Sequence, residues 1–224
     1  MLIYISGIDG CGKTTQAKLL VDTLRKRGFN ADYEWMRWEP TFRRVIKSFR
    51  SLIARRKIKE HDSSEELENN EHDHWNKFKR KLLSNPVIKE LWWLYACADY
   101  YFSICKEFRN LYGEITIIDR YIDDFIIDQA INFNLSPEDS VKLENNVFLK
   151  KFKPPDLKII IDLPAIEGYT RKKDGTSLKY LEKREAYYKR LYAVNNSVHL
   201  DGFEDIPSLA SKIDKCVTDI LIRD

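Results

Sequence analysis

One stretch near the start constrains the chain more than any other: Gly7-Ile8-Asp9-Gly10-Cys11-Gly12-Lys13-Thr14, which satisfies G-x-x-x-x-G-K-[ST]. An apolar run, residues 2–6, precedes it, and Ala17, Leu20, Val21 and Leu24 follow at helical spacing. Strand, glycine turn and helix in that order make a loop whose backbone N–H groups converge on an anion, with the positive end of a helix behind them. Gly7, Gly10, Cys11, Gly12, Lys13, Thr14 and Thr15 are the expected cradle. Lys13 offers a point charge to the outer phosphates, and the Thr14 hydroxyl is a hard oxygen ligand suited to Mg²⁺. The pattern therefore predicts binding of a nucleoside triphosphate with Mg²⁺.

The rest of the chain alternates in the same way. A helix over 13–27 ends in Arg25, Lys26 and Arg27 before Gly28, which suits a negative helix end and a left-handed cap. A second strand is expected over about 31–37. "EITIIDR" and "PPDLKIIIDLP" are short apolar strands ending in Asp, as in strands buried on both faces, and "SVHLDG" is a candidate fifth. Ser84 or Asn85 can cap a long helix with Pro86 in its first turn. Its apolar residues Ile88, Leu91, Tyr95, Ala98, Phe102 and Cys105 are expected to face the core. These signals predict a P-loop three-layer α/β/α fold with a five-stranded parallel sheet. The whole chain, 1–224, reads as one domain with a charged helical insertion at about 41–83 and a lid at about 168–182.

Composition removes several functions. The 38 basic and 35 acidic residues nearly cancel, which does not suggest a nucleic-acid partner. No apolar run approaches the roughly 20 residues that cross a bilayer. The N-terminus lacks a signal-peptide pattern, so a cytoplasmic location is expected. Cys11, Cys97, Cys105 and Cys216 are scattered and read as reduced thiols, while His61, His72 and His74 fall in a solvated polar segment. A GTPase switch would show D-x-x-G after the loop and N-K-x-D later. Neither occurs beyond Asp9.

"GIDGCGKTTQAKLL", "EP" after the second strand, "IIDRY" and "PDLKIIIDLP", in that order, resemble the thymidylate kinases among the nucleoside monophosphate kinases. The aspartate inside the loop together with "DRY" is the specific part. The resemblance implies transfer of the ATP γ-phosphate to dTMP. It places Asp9 beside the acceptor's sugar, Glu39 and Pro40 on the acceptor side near the Mg²⁺ waters, Asp119 on the metal through water, and Arg120 on the acceptor's phosphate. Gln129 falls just past the acceptor pocket. The resemblance also implies a homodimer through helices including the one that holds Trp92, Trp93 and Tyr95.

Transfer between two charged phosphates needs fixed cations and a cover against water. "GYTRKKDG" supplies Arg171, Lys172 and Lys173 beside a glycine, a credible lid. Since the loop has no basic residue before Gly12, the transition-state cation must come from elsewhere. Arg171 is the first candidate and Arg184, on the donor side, the second.

The chain departs from the family pattern where the acceptor would be read. Trp38 stands where the family has Arg, with Arg37 adjacent. Tyr100 replaces an arginine that reads the base edge. Asp124, Phe125 and Asp128 replace small or polar residues and a tyrosine after "DRY". Losing a bidentate donor changes acceptor choice. Asp9, Asp99, Asp123, Asp124 and Asp128 would repel a phosphate unless paired with Arg120, Arg37 or a metal. Arg37, Tyr100, Asp124 and Asp128 therefore join the expected substrate residues. Two alternatives stay open: a phosphotransferase acting on another nucleotide, a nucleoside or a small hydroxyl compound, and a non-catalytic ATP sensor.

Overall fold

The computed structural model describes residues 1–41, 82–109, 111, 113–172, 176–192 and 197–222. Its elements run β1 (Leu2–Ser6), α1 (Lys13–Lys26), β2 (Ala31–Trp35), α2 (Pro86–Arg109), β3 (Ile115–Asp119), α3 (Ile122–Asn132), α4 (Pro137–Ser140), β4 (Leu157–Asp162), α5 (Ala165–Arg171), α6 (Leu178–Tyr192), β5 (Val198–Asp201) and α7 (Ile206–Leu221). Two 3₁₀ turns lie between α4 and β4. The five strands form one parallel sheet in the order β2-β3-β1-β4-β5.

β1, β3 and most of β4 are buried on both faces, which is why their sequences are apolar runs rather than alternations. Alternate residues of β1 face opposite layers. Ile3 and Ile5 pack with Ala17, Leu20 and Leu24 of α1 and with Leu209, Ile213 and Val217 of α7. Leu2 and Tyr4 pack against Ala96, Cys97, Tyr100 and Ile104 of α2 and against Phe125 and Ile126 of α3. β1 lies at the point where successive crossovers leave in opposite directions, β2 and β3 to one side and β4 and β5 to the other. Open α/β sheets hold ligands at the strand ends there.

The cap expected before α2 is present: the Asn85 side chain accepts from the backbone N–H groups of Val87 and Ile88, at 3.0 and 3.3 Å. The face expected inward on that helix is not the buried one. Leu91 and Phe102 are more than 60% exposed, whereas Ala96, Cys97, Tyr100 and Ile104 are buried. Apolar residues lie on more than one side of the helix, so two stripes have helical spacing and periodicity does not choose between them. The expected insertion and the three histidines fall almost wholly on 42–81, outside the described residues, as do 173–175 of the expected lid.

Candidate phosphotransfer site

Gly10 and Gly12 carry the loop between β1 and α1 through positive φ, 88° and 96°, and Gly12 is the N-cap of α1. A side chain is strained there, which explains the glycines. Gly10 has a second reason: a Cβ would come within 2.4 Å of the Gly168 carbonyl oxygen, because α5 lies directly on the loop. Lys13 is buried, with its ammonium donating to the Ile8 carbonyl at 2.6 Å inside the loop's own curve. Burial pushes the Cys11 thiol up despite the nearby Lys13 charge, so this cysteine is a packing residue. Thr14 and Thr15 stand exposed at the first turn of α1.

The Thr14 hydroxyl donates to Asp119 Oδ2 at 2.5 Å, and the Tyr33 hydroxyl approaches the same oxygen at 3.3 Å. Burial, with the Asp119 charge beside it, pushes the Tyr33 phenol up to about 12. Asp119 Oδ1 is buried with no protein partner. A hydroxyl and a carboxylate with an uncommitted oxygen, at the mouth of a phosphate loop, fit Mg²⁺. Among the described residues no three His, Cys, Asp or Glu side chains converge on a metal position. Most ligands of an ion held there would therefore be phosphate and water oxygens, as Mg²⁺ prefers. Glu39, also expected near the metal, is exposed beyond β2, on a segment tied to β3 by the Met36 N–H donating to the Asp119 carbonyl.

Arg120 follows Asp119 with φ of +71°, uncommon for a residue with a side chain. Its guanidinium is buried and turns back beneath the loop, donating to Asp9 through one terminal nitrogen and to Asp124 Oδ1 at 2.8 Å through the other. Burial alone would raise Asp9. The charges of Arg120 and Lys13 outweigh it and hold that carboxyl well below the usual carboxylate range. The same contest, won by Arg120 and Arg184, keeps Asp124 low. The loop aspartate and the arginine of "DRY" thus share one site, as do Thr14 and Asp119.

Other expected site residues lie elsewhere. Tyr100 is in the core, its ring stacked 4.3 Å from Phe125, because it sits on the inward stripe of α2. Gln129 is fully buried and accepts from the Trp92 indole at 3.0 Å, which makes it a packing residue between α3 and α2. Arg184, considered for the donor nucleotide, has no exposed surface. Its terminal nitrogens are taken by Asp124, Asp128, Tyr180 and Tyr188. A guanidinium so committed holds the scaffold rather than a donor phosphate. Arg171 ends α5, donates to the Gly202 carbonyl at 2.8 Å and lies over the Phe203 ring. Asp128 pairs with Arg184 and, at 3.6 Å, with Arg37. Asp123 pairs with Lys158 of β4, and Asp99 takes the Trp38 indole and the Thr41 N–H. The carboxylates expected to crowd the acceptor therefore each have a cation or donor.

Some contributing residues had weak sequence signals. Tyr4, a phenol in an otherwise aliphatic strand, donates to Asp124 at 2.9 Å, and Tyr188 does so at 2.6 Å. Trp38 fixes the segment after β2 edge-on against Phe125, 5.3 Å away. Only the isolated tyrosine in β1 was a visible irregularity.

Comparison with known proteins agrees with this geometry. The thymidylate kinase family profile matches residues 5–105, which run from the phosphate loop through most of α2. A probable thymidylate kinase of Methanococcus maripaludis strain C7 is 32% identical over 98% of this chain and 92% of its own length. The thymidylate kinase of Caldanaerobacter subterraneus subsp. tengcongensis is 28% identical over 98% and 95%, and that of Thermoanaerobacter sp. strain X514 is 26% identical over 98% and 96%. With the loop, the Thr14–Asp119 contact and the Asp9–Arg120 pair side by side at the ends of β1 and β3, and likeness running nearly end to end, the chain belongs to the thymidylate kinase family.

Proposed function

We propose that this protein is an ATP-dependent thymidylate kinase, transferring the ATP γ-phosphate to dTMP to give dTDP. The observation that carries the reading is the Asp9–Arg120 ion pair. It sets a guanidinium, suited to a second anion, against the loop that grips the first. In this reading the loop amides from Gly10 to Thr15 and the Lys13 ammonium hold the donor's β- and γ-phosphates. Lys13 exchanges its contact with the Ile8 carbonyl for phosphate oxygens. Arg120 orients the acceptor phosphate, and Asp9 accepts from the acceptor's sugar hydroxyl.

Thr14 and Asp119 would hold Mg²⁺, which neutralises charge on the donor oxygens when bound. Arg37, Glu39 and Pro40 line the acceptor side. Arg171 is the lid cation: α5 already rests on Gly10, and its C-terminal end leads into the basic segment. We read the chain as one kinase domain with its lid at 168–182 and an insertion at 41–83. All four cysteines are unpaired thiols, which supports a cytoplasmic setting. No helix among the described residues is long and apolar enough to cross a membrane. The exposed row Val87, Leu91, Leu94 and Phe102 on α2 supports a homodimer, readable by sedimentation.

The test is ADP release with Mg²⁺ and ATP across dTMP, other nucleoside monophosphates, nucleosides and small alcohols. A preference for dTMP of tenfold or more, about 1.4 kcal/mol, is expected. In the same assay Lys13→Met should lose about 10²–10³-fold in kcat, as for removal of one fixed charge donor. Equal turnover of all acceptors would reject the dTMP assignment, and an active Lys13→Met would remove the loop from the mechanism.

A further inference from the structure

We propose that Asp124 is a positioning residue that aims the Arg120 guanidinium at the acceptor's anion and, through Arg184, keys it to α6; the inference rests on the phosphotransfer reading of the site. Asp124 lies one helical turn beyond Arg120, in the first turn of α3, and is 1% exposed. It accepts from four donors: Tyr4 of β1, Arg120 in the turn after β3, and Arg184 and Tyr188 of α6. Arg120 and Arg184 each reach Oδ1 at 2.8 Å and Tyr188 reaches it at 2.6 Å, while Tyr4 reaches Oδ2 at 2.9 Å. Four converging donors leave the carboxylate no other orientation.

Arg120 therefore has two unlike carboxylate partners. Asp9 belongs to the glycine loop and has Arg120 as its one ion-pair partner among the described residues. Asp124 is fixed from every side. An acceptor phosphate entering the cleft can take the Arg120 nitrogen that faces Asp9, releasing Asp9 toward a sugar hydroxyl. The contact with Asp124 stays and defines where the other half of the guanidinium points. The positive φ of Arg120 is held in place by these two anchors. The network continues from Arg184 to Asp128 and Arg37, so acceptor arginine, lid-side helix and the segment after β2 share one chain of ion pairs. Asp124 acts through Arg120, not on the reacting atoms.

The experiment is a double-mutant cycle on the acceptor that wild type uses best, with dissociation constants for acceptor and ATP measured by calorimetry beside kcat and KM. Asp124→Asn should raise acceptor KM and Kd about tenfold and lower kcat, with ATP values within twofold. Arg120→Lys should lose far more. The double variant should be no more than two- to threefold worse than Arg120→Lys alone, because the interaction through which Asp124 acts is already gone. Multiplicative losses would overturn the proposal, as would a fall in kcat with both KM values unchanged, the signature of a smaller folded fraction. Tyr188→Phe, which removes one donor and keeps the rest, serves if Asp124→Asn does not fold. A severalfold rise in acceptor Kd alone is expected, and no change overturns the proposal. Absence of dTMP turnover in wild type sinks the acceptor assignment only, since the cycle runs on any acceptor that binds.

Discussion

The two ends of the proposed phosphotransfer site, one for the donor and one for the acceptor, are built differently. The donor end is a contiguous run, Gly7 to Thr15, made mostly of backbone, and it rests on Gly168 of α5. The acceptor end is assembled from side chains on β1, the end of β3, α3 and α6, and it is buried. Backbone sites are constrained by conformation and depend on glycines. Side-chain sites are constrained by mutual charge and depend on partners. The donor end should therefore fail locally when a single φ or a single charge is altered. The acceptor end should fail as a unit and should do so with pH.

The largest effect expected is Asp124→Ala. It takes one of two carboxylate partners from each of two buried guanidiniums, leaving Arg120 with Asp9 and Arg184 with Asp128. Breaking a buried ion network by removing one partner costs about 3–5 kcal/mol. Urea unfolding at pH 7 reads this directly. The pH dependence has a definite sign. Asp9 and Asp124 have folded pKa values below their unfolded value of about 3.9. Their stabilisation is fully present above that value and is lost as pH falls from it through the folded values. The gap between wild type and Asp124→Ala should thus narrow below about pH 4. On Asp123 the same burial outweighs the Lys158 charge and the carboxyl is raised, so this carboxylate does not contribute to the same acid transition. A gap constant from pH 7 to pH 3 would mean that packing, not charge, holds α3 to α6.

The donor end yields a matched pair. Gly10→Ala and Gly12→Ala both place a side chain at positive φ, a cost of about 1–2 kcal/mol each. Only at Gly10 does the new Cβ also meet backbone, the Gly168 oxygen at 2.4 Å, whereas at Gly12 nothing lies within 4 Å. Overpacking adds about 1–3 kcal/mol. Gly10→Ala should lose more ATP affinity and more thermal stability than Gly12→Ala. Equal losses would show that α5 does not brace the loop.

The same contrast explains what could be read from sequence. The five strands, the phosphate loop and the Asp119–Arg120 pair were legible because they are local: short apolar runs, a period of 3.6, a glycine motif, a strand ending in Asp-Arg. The charge network was not legible. Asp124 and Arg184 are 60 positions apart, and a carboxylate's role depends on whether a guanidinium faces it in space. For that reason Asp124 and Asp128 looked like obstacles to an acceptor phosphate, and Arg184 looked like a free cation, until their pairings were visible. The phase of α2 was hidden for another reason. An apolar helix with two usable stripes is oriented by its neighbours, Phe125 and Phe152, rather than by its own pattern.

Tyr100 gives the finest test, because its expected effect is near zero. Sequence position puts it where an acceptor base would be read, and the structure puts its ring between Phe125 and Phe152 with a buried hydroxyl that has no partner. Burial drives its phenol well above the ordinary value, so it stays neutral at any working pH. Removing a buried, unpaired hydroxyl forfeits no hydrogen bond and relieves a desolvation cost, so Tyr100→Phe should be neutral or stabilising by about 1 kcal/mol. Acceptor KM should not change. A tenfold rise in acceptor KM with unchanged stability would mean that the hydroxyl reaches the acceptor base after all. The aromatic layer under α3 would then be part of the reading surface and not its support.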